Sequence, residues 1–251
     1  MILFVFEGSR KEPAIFDSLR KIYFKEESVV VCTYNTDFHS LYKYLSDNDW
    51  ELFYVLREQL RKRGENTLEG YRESDFSQIY LFFDYDFQNS HIPLEEQNRR
   101  LEKMLSYFSE ETENGKLYIN YPMVESLIYT KQLPDGDFDD YTVSREECHG
   151  FKGLASKFSY YPDISFMTID NPNNVPNEEV LYNWKLLKQQ HVAKANLLCN
   201  GEKGKMPEDK TSIGQGRLFE VQCNQFVVPK NVVSILNAFP LFVYEYMKET
   251  T

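Results

Sequence analysis

No stretch of the 251-residue chain approaches the roughly 18 consecutive apolar residues that a membrane-crossing helix needs, so no membrane span is expected. The first apolar run begins at Ile2 and meets Glu7 almost at once, which does not fit a secretory leader. Cysteine is scarce. Cys32, Cys148, Cys199 and Cys223 lie far apart, without the paired spacing of a zinc site. Reduced thiols and a cytoplasmic location are the expectation. Basic charge is also short, with 28 Lys and Arg against 39 Asp and Glu and a net charge of −11. That excludes binding to nucleic acid by bulk attraction to phosphates. It leaves room for an enzyme with a local basic groove whose acids are neutralised by metal. Binding is then expected to be weak without metal or a partner. Internal repeats are absent. EF-hand spacing is missing from the acidic loop PDGDFDDYTVSREE at 134–147, which reads as a solvated loop.

What the chain does have is aromatic residues, 16% of its length, mostly Tyr and Phe, enough for a substantial core. In ILFVFEGSRKEPAIFDSL, residues 2–19, the run Ile2–Phe6 is continuous rather than alternating, as in a strand covered on both faces. Pro13 suits the first turn of a helix, and Ile15, Leu19, Ile22 and Tyr23 recur at helical spacing. Glu7 therefore sits at the carboxyl end of a strand, where open α/β sheets bind ligands. Its plain reading is a solvated charge closing that strand. A second acidic site follows in QIYLFFDYDFQNS, residues 78–90, where Asp84 and Asp86 trail another apolar run. If strand geometry persists, residues two apart project to the same side. Crowded carboxylates repel, and a hard cation such as Mg²⁺ or Mn²⁺ relieves them. The plain alternative is a polar loop in which Asp84 caps the next helix.

Further strands are expected at Val29–Cys32 and Leu117–Tyr121, with helices over 38–45, 50–60 and 94–108 and one opened by Pro122 that contains Glu125. Polar RKRGENTLEGYRES, residues 61–74, reads as a connector. The alternation predicts an α/β fold with a mostly parallel sheet flanked by helices over residues 1–130, and a more irregular, helix-rich region over 131–251. In that region a short helix at 153–158 and a long one over 178–199, N-capped by Asn177, are expected. The stretch 200–216 is expected to be mobile, RLFEVQCNQFVVP to hold a strand, and 232–246 to return to a helical pattern.

ILFVFEG followed by LFFDYD resembles the Toprim (topoisomerase–primase) domain, which pairs a glutamate after its first strand with a DxD motif after a later one. EGSRKEP is closest to the OLD-family and RloB-like branch found in bacterial anti-phage defence, and YPMVES matches that branch's Pro-x-x-Glu element. The resemblance covers roughly residues 1–130 and departs at Glu12, where many Toprim proteins have Asp; Glu12 is either a longer-reaching acid or a helix cap. It implies a divalent-metal-dependent nuclease with Mg²⁺ or Mn²⁺ as cofactor. Glu7 would act as general base or metal ligand, Asp84 and Asp86 would hold metal, and Glu125 would complete a second position. Lys11 is the first choice for a cation on the substrate phosphate. Lys152 in HGFKGL, Lys188 and His191 are weaker candidates, with His149 a further acid–base candidate. The implied partners are DNA or RNA, an ATPase or other defence component, and a second copy of the chain.

Two rivals stand beside this. One is a non-catalytic Toprim-like module that docks on a basic partner through helix 178–199 and AFPLFVYEYM; the plain reading of the latter is a core-packing terminal helix. The other is a HAD-type phosphatase, suggested by DYD. That family's nucleophilic Asp ends the first strand, whereas this motif follows the third.

Overall fold

The structure, a computed structural model, describes residues 1–25, 27–161, 163–170 and 175–246. The chain divides into two compact units, residues 1–84 with 90–118, and residues 85–89 with 119–251. The boundary therefore lies nearer 118 than the expected 130, and the five residues after Asp84 belong with the second unit.

In the first unit, β1 (Ile2–Phe6) is wholly buried, as its unbroken apolar run requires. α1 (Lys11–Tyr23) follows, starting two residues before Pro13. It leads to β2 (Val29–Thr33), then α2 (Phe38–Ser46) and α3 (Leu52–Lys62). β3 (Gln78–Asp84) comes next, with its five middle residues buried, followed by α4 (Leu94–Tyr107), β4 (Ser109–Glu110) and β5 (Gly115–Asn120). The five-stranded sheet has the order β2-β1-β3-β5-β4. β1 pairs in parallel with β2 on one side and β3 on the other, and β4 is antiparallel to β5. β5 passes out of this unit after Tyr118.

The chain leaves β1 to one side for β2 and returns to the other side for β3. The β1/β3 crevice is therefore the topological switch point, the place where an open α/β sheet presents its binding edge. Phe4 anchors the core below it. Its ring lies 4.0 Å from Phe16 and 5.2 Å from Tyr80, centroid to centroid. Truncating such a buried aromatic costs about 3–5 kcal/mol.

The second unit contains a two-stranded antiparallel sheet of β6 (Thr142–Ser144) and a strand from near the C-terminus. α5 (Arg145–Cys148) and α6 (Phe151–Phe158) follow β6, and α6 begins two residues before its expected start. α7 (Asn177–Asn200) is the longest helix of this unit and ends on Gly201, whose φ of 76° is the left-handed cap that favours glycine. Pro176, not Asn177, occupies the N-cap position. Asn177 donates instead to Asp170 Oδ1 (3.1 Å), and most of the expected loop beyond Asp170 lies outside the described residues.

α7 is exposed at Glu178, Glu179, Leu181, Tyr182, Lys185 and Gln189 but is otherwise more buried than the exposed helix expected. Val180, Trp184, Leu187, His191, Val192, Lys194 and Ala195 are all buried on it, and Trp184 Nε1 donates to Met167 O at 2.8 Å. RLFEVQCNQFVVP is helical rather than a strand: α8 (Gln215–Val221), a π-helical turn (Gln222–Val227) and α9 (Val228–Lys230). Its buried Leu218, Phe219, Val221 and Gln222 recur at helical spacing, which β-branched composition masks over so short a run. The late strand is β7 (Val232–Ser234), in a stretch expected to be helical. Gln222 supports it, donating to Ser234 O and accepting from Ser234 N–H at 2.8 and 3.0 Å. α10 (Ala238–Tyr246) buries seven consecutive residues, Ala238 to Tyr244. AFPLFVYEYM is thus core rather than a free interface as far as Tyr244; Glu245 and Tyr246 are half-buried, and Met247 lies outside the described residues.

Candidate metal-dependent active site

Glu7 is the first residue beyond β1, and the backbone ladder continues through it. Its N–H donates to Phe82 O at 3.0 Å, and its carbonyl accepts from Asn35 N–H at 2.8 Å. Its Oε2 accepts from the Asp84 N–H at 2.8 Å, so the Glu7 carboxylate is tied to the last residue of the neighbouring strand. Two acids therefore stand at the carboxyl ends of the two strands that flank the switch point.

Glu12 is buried at 5% exposure, and its Oε1 accepts from the Gly8 N–H at 3.0 Å. It closes the turn back onto the residue after Glu7, while the N-cap of α1 is Arg10, with no side-chain cap hydrogen bond. Gly8 is required for the same reason. A Cβ there would stand 2.7 Å from both Glu12 carboxylate oxygens. Lys11, half-buried, is the first residue of α1.

Asp86 lies in the second unit, and the expectation that strand geometry carries through to it does not hold. β3 ends at Asp84, and Asp86 has φ of 52°, in the left-handed region. Period-two reasoning therefore does not set its direction. A turn sets it instead: Asn89 N–H donates to Asp86 O at 2.9 Å, and Gln88 Nε2 donates to Asp86 Oδ1 at 3.0 Å. The left-handed region tolerates Asp better than most residues, because its short side chain bonds locally.

Glu125 sits on a 3₁₀ turn (Val124–Ile128) rather than an α-helix, with its side chain 1% exposed. Lys152 Nζ lies 3.9 Å from Glu125 Oε1 on a side chain that is 77% exposed, a long and solvent-screened pairing. Lys152 belongs to the first turn of α6. It lines a small cleft of about 220 Å³ with Gln88, Met123, Cys148, His149 and Phe151.

The α7 candidates divide. Lys188 is half-buried on the helix. His191 is a core histidine rather than a substrate contact: it is fully buried, its Nδ1 accepts from Asn237 N–H at 3.1 Å, and its ring meets Phe138 edge-on at 4.6 Å. Burial pushes its pKa down to about 3, with Lys194 acting in the same direction, so it stays neutral near pH 7. Lys194 is likewise buried. It donates to the carbonyls of Phe138 and Tyr141 at 2.9 and 2.8 Å.

The acidic loop also proves structural. The Asp135 carboxylate accepts from the N–H groups of Lys131 and Asp137 and from the hydroxyls of Tyr141 and Thr130. Burial works against its ionisation, but these four bonds prevail and hold its pKa below the usual carboxylate value.

The donor chemistry suits a hard cation. Glu7 and Asp84 offer only carboxylate oxygens, and Mg²⁺ commonly binds through one or two carboxylates, with water and substrate phosphate filling the remaining positions. Among the described residues, no three or more His, Cys, Asp or Glu side chains are grouped closely enough to form a complete protein cage for a metal. Compared with known proteins, the chain finds no matching family model, no matching curated protein and no matching solved structure.

Proposed function

We propose that the protein is a divalent-metal-dependent nuclease that cleaves phosphodiester bonds in DNA or RNA at the carboxyl edge between β1 and β3. The observation that supports this reading is the hydrogen bond from the Asp84 N–H to Glu7 Oε2, which holds the Glu7 carboxylate against the last residue of β3 at the switch point of a mostly parallel sheet. Mg²⁺ or Mn²⁺, when bound there, would polarise a phosphoryl oxygen and lower the pKa of bound water. Glu7, whose Oε2 accepts from the Asp84 N–H, acts as metal ligand or as base toward water. Asp84 supplies a second oxygen donor. Lys11, at the start of α1, would supply a cation for a substrate phosphate. Asp86 and Glu125, which the Toprim resemblance also implies as metal ligands, belong to the second unit. The Toprim-like motifs point to the OLD-like and RloB-like defence nucleases, and so to an antiviral role alongside an ATPase partner.

A second reading, a non-catalytic Toprim-like module docking on such a partner, is favoured by exposed apolar side chains near the start of α7, Leu181 at 46% and Tyr182 at 58%. Cleavage separates the two. Purified protein, alone and with any co-purifying partner, is incubated with single- and double-stranded DNA and RNA in Mg²⁺ or Mn²⁺. Cuts that disappear in excess chelator support the nuclease. Intact substrate under every condition supports the docking module.

A further inference from the structure

The segment CHGFKGLASKFSYY, residues 148–161, contains no Asp or Glu, although the chain carries 39 of them. Most of it forms α6, and all of it belongs to the second unit. A locally cationic surface in a chain of net charge −11 draws a polyanion to one place while the rest of the molecule repels it.

The helix sets out its exposed residues in order. Lys152, Gly153, Ser156 and Lys157 are exposed, whereas Phe151 and Ala155 are buried. At about 100° per residue the four cover a single arc, with the lysines at its margins and Gly153 and Ser156 between them. Two open hollows, of about 370 and 220 Å³, share Gly150 and Gly153 in their walls; Lys157 lines the first and Lys152 the second. Lys152 Nζ stands 3.9 Å from the Glu125 carboxylate, too far for a hydrogen bond. Glu146 and Glu147 also line the larger hollow, where the Glu147 carboxylate is occupied by the Ser144 N–H and hydroxyl at 2.8 and 2.7 Å.

Beyond the helix the surface turns aromatic. Tyr160 is 76% exposed, its ring meets Tyr161 edge-on at 5.3 Å, and Tyr161 stacks on Phe166 at 3.9 Å. The Tyr160 N–H donates to Thr130 O at 3.2 Å. The next residue, Lys131, lies over the Phe158 ring at 5.7 Å and is shared with Asp137 at 3.3 Å. An open ring backed by other rings and set beside cations suits single-stranded nucleic acid, whose bases stack on the ring while its phosphates follow the charges. We propose that the outer face of α6 is a docking surface for single-stranded nucleic acid, with Lys152 and Lys157 on the phosphates and Tyr160 under a base. This rests on the reading of nucleic acid as substrate, and the test keeps the two apart.

The probe is a fluorescein-labelled oligothymidine, titrated with the full chain in chelator so that it is not cut, and followed by anisotropy between about 50 and 200 mM KCl. The parent, Lys152→Gln with Lys157→Gln, Tyr160→Ala and Tyr160→Phe are compared, with circular dichroism confirming that each is folded. The double variant should bind more weakly and lose about 1.4 from the slope of log affinity against log salt, two phosphate contacts at about 0.7 each. Tyr160→Ala should bind about tenfold more weakly, and Tyr160→Phe, which keeps the ring, like the parent. Binding to a duplex of the same length should not depend on Tyr160. Cleavage of the same strand in Mn²⁺ is followed alongside. If the parent does not bind in chelator, or every variant binds like it, while Mn²⁺-dependent cuts persist, the docking surface is overturned and the nuclease reading stands. Variants that lose binding when no protein cuts under any condition keep the surface and remove the nuclease. Poly-glutamate that competes as well as an oligonucleotide of equal charge would overturn the assignment in favour of an acidic protein. A parent that neither binds nor cuts ends both readings.

Discussion

Replacing Lys194 with Met should change how stability depends on pH more than it changes stability at any one pH. The ammonium is buried in α7, 4.7 Å from the centre of the Phe138 ring, and held by two carbonyls. Burial pulls its pKa from an ordinary 10.5 down to about 7, outweighing the nearby Asp139 and Asp140, which act to raise it. The sign follows directly. Below pH 7 the amine is charged in both the folded and unfolded chains, and the cost of burying that charge is fully present. Between about 7 and 10.5 the unfolded chain holds a proton that the folded chain has released, so stability rises with pH. The slope is about 1.4 kcal/mol per pH unit, and the whole depression corresponds to on the order of 5 kcal/mol. Lys194→Met removes the charge but also two charge-assisted hydrogen bonds, each worth about 1.5–3 kcal/mol, to carbonyls that keep the N–H donors of Tyr141 and Ile235. Near pH 6.5 the two effects largely offset. By pH 9 the parent should have gained about 2–3 kcal/mol relative to the variant. Denaturant unfolding in a Trp50→Phe background measures this, because Trp184, buried on the same helix, is then the only tryptophan. Equal slopes in parent and variant between pH 7 and 9 would refute the reasoning.

Other outcomes follow from the same geometry. Gly8→Ala should push the Glu12 carboxylate off its bond to the Gly8 N–H, costing about 1–2 kcal/mol in denaturant midpoint, whereas alanine at exposed Gly153 on α6, with open space around its Cβ, should not destabilise. Asp86→Asn should keep the fold's stability because Asn tolerates φ of 52°, while Asp86→Ala should lose about 1–2 kcal/mol; thermal melts of the two compared at one pH decide it. His191, whose folded pKa is about 3 against an ordinary 6.5, should contribute full stability above pH 6.5 and lose it progressively as pH falls toward 3. An acid titration of Trp184 emission in parent and His191→Gln should show that loss only in the parent.

The first unit was legible where one physical signal dominated. Continuous apolar runs placed β1, β2 and β3 to within a residue or two, because strands covered on both faces cannot alternate. Glu7 and Asp84 followed from strand ends alone. Asp86 was misread in direction because a two-residue period says nothing once a chain turns left-handed, and no residue near it announces that turn. The second unit resisted for a different reason. α7 buries polar groups, with Asn183 bonded to Phe166 O and Lys194 to two carbonyls, so its charges mimic a solvent face. Those partners lie more than 15 residues away in sequence, beyond the reach of any local pattern.

The central claim is that Glu7 and Asp84 form a cation site at the β1/β3 edge, and a melting experiment with Mn²⁺ tests it without needing a substrate or partner. A ligand at a hundredfold excess over its Kd stabilises the folded state by about 2.7 kcal/mol, a shift of several degrees for a unit of this size. The parent should melt higher in Mn²⁺ than in chelator, and Glu7→Gln and Asp84→Asn should gain far less. Without metal, Asp84→Asn should melt at or slightly above the parent, because one of two repelling charges is gone. A parent melting temperature indifferent to Mn²⁺, or equal gains in all three proteins, would contradict the account.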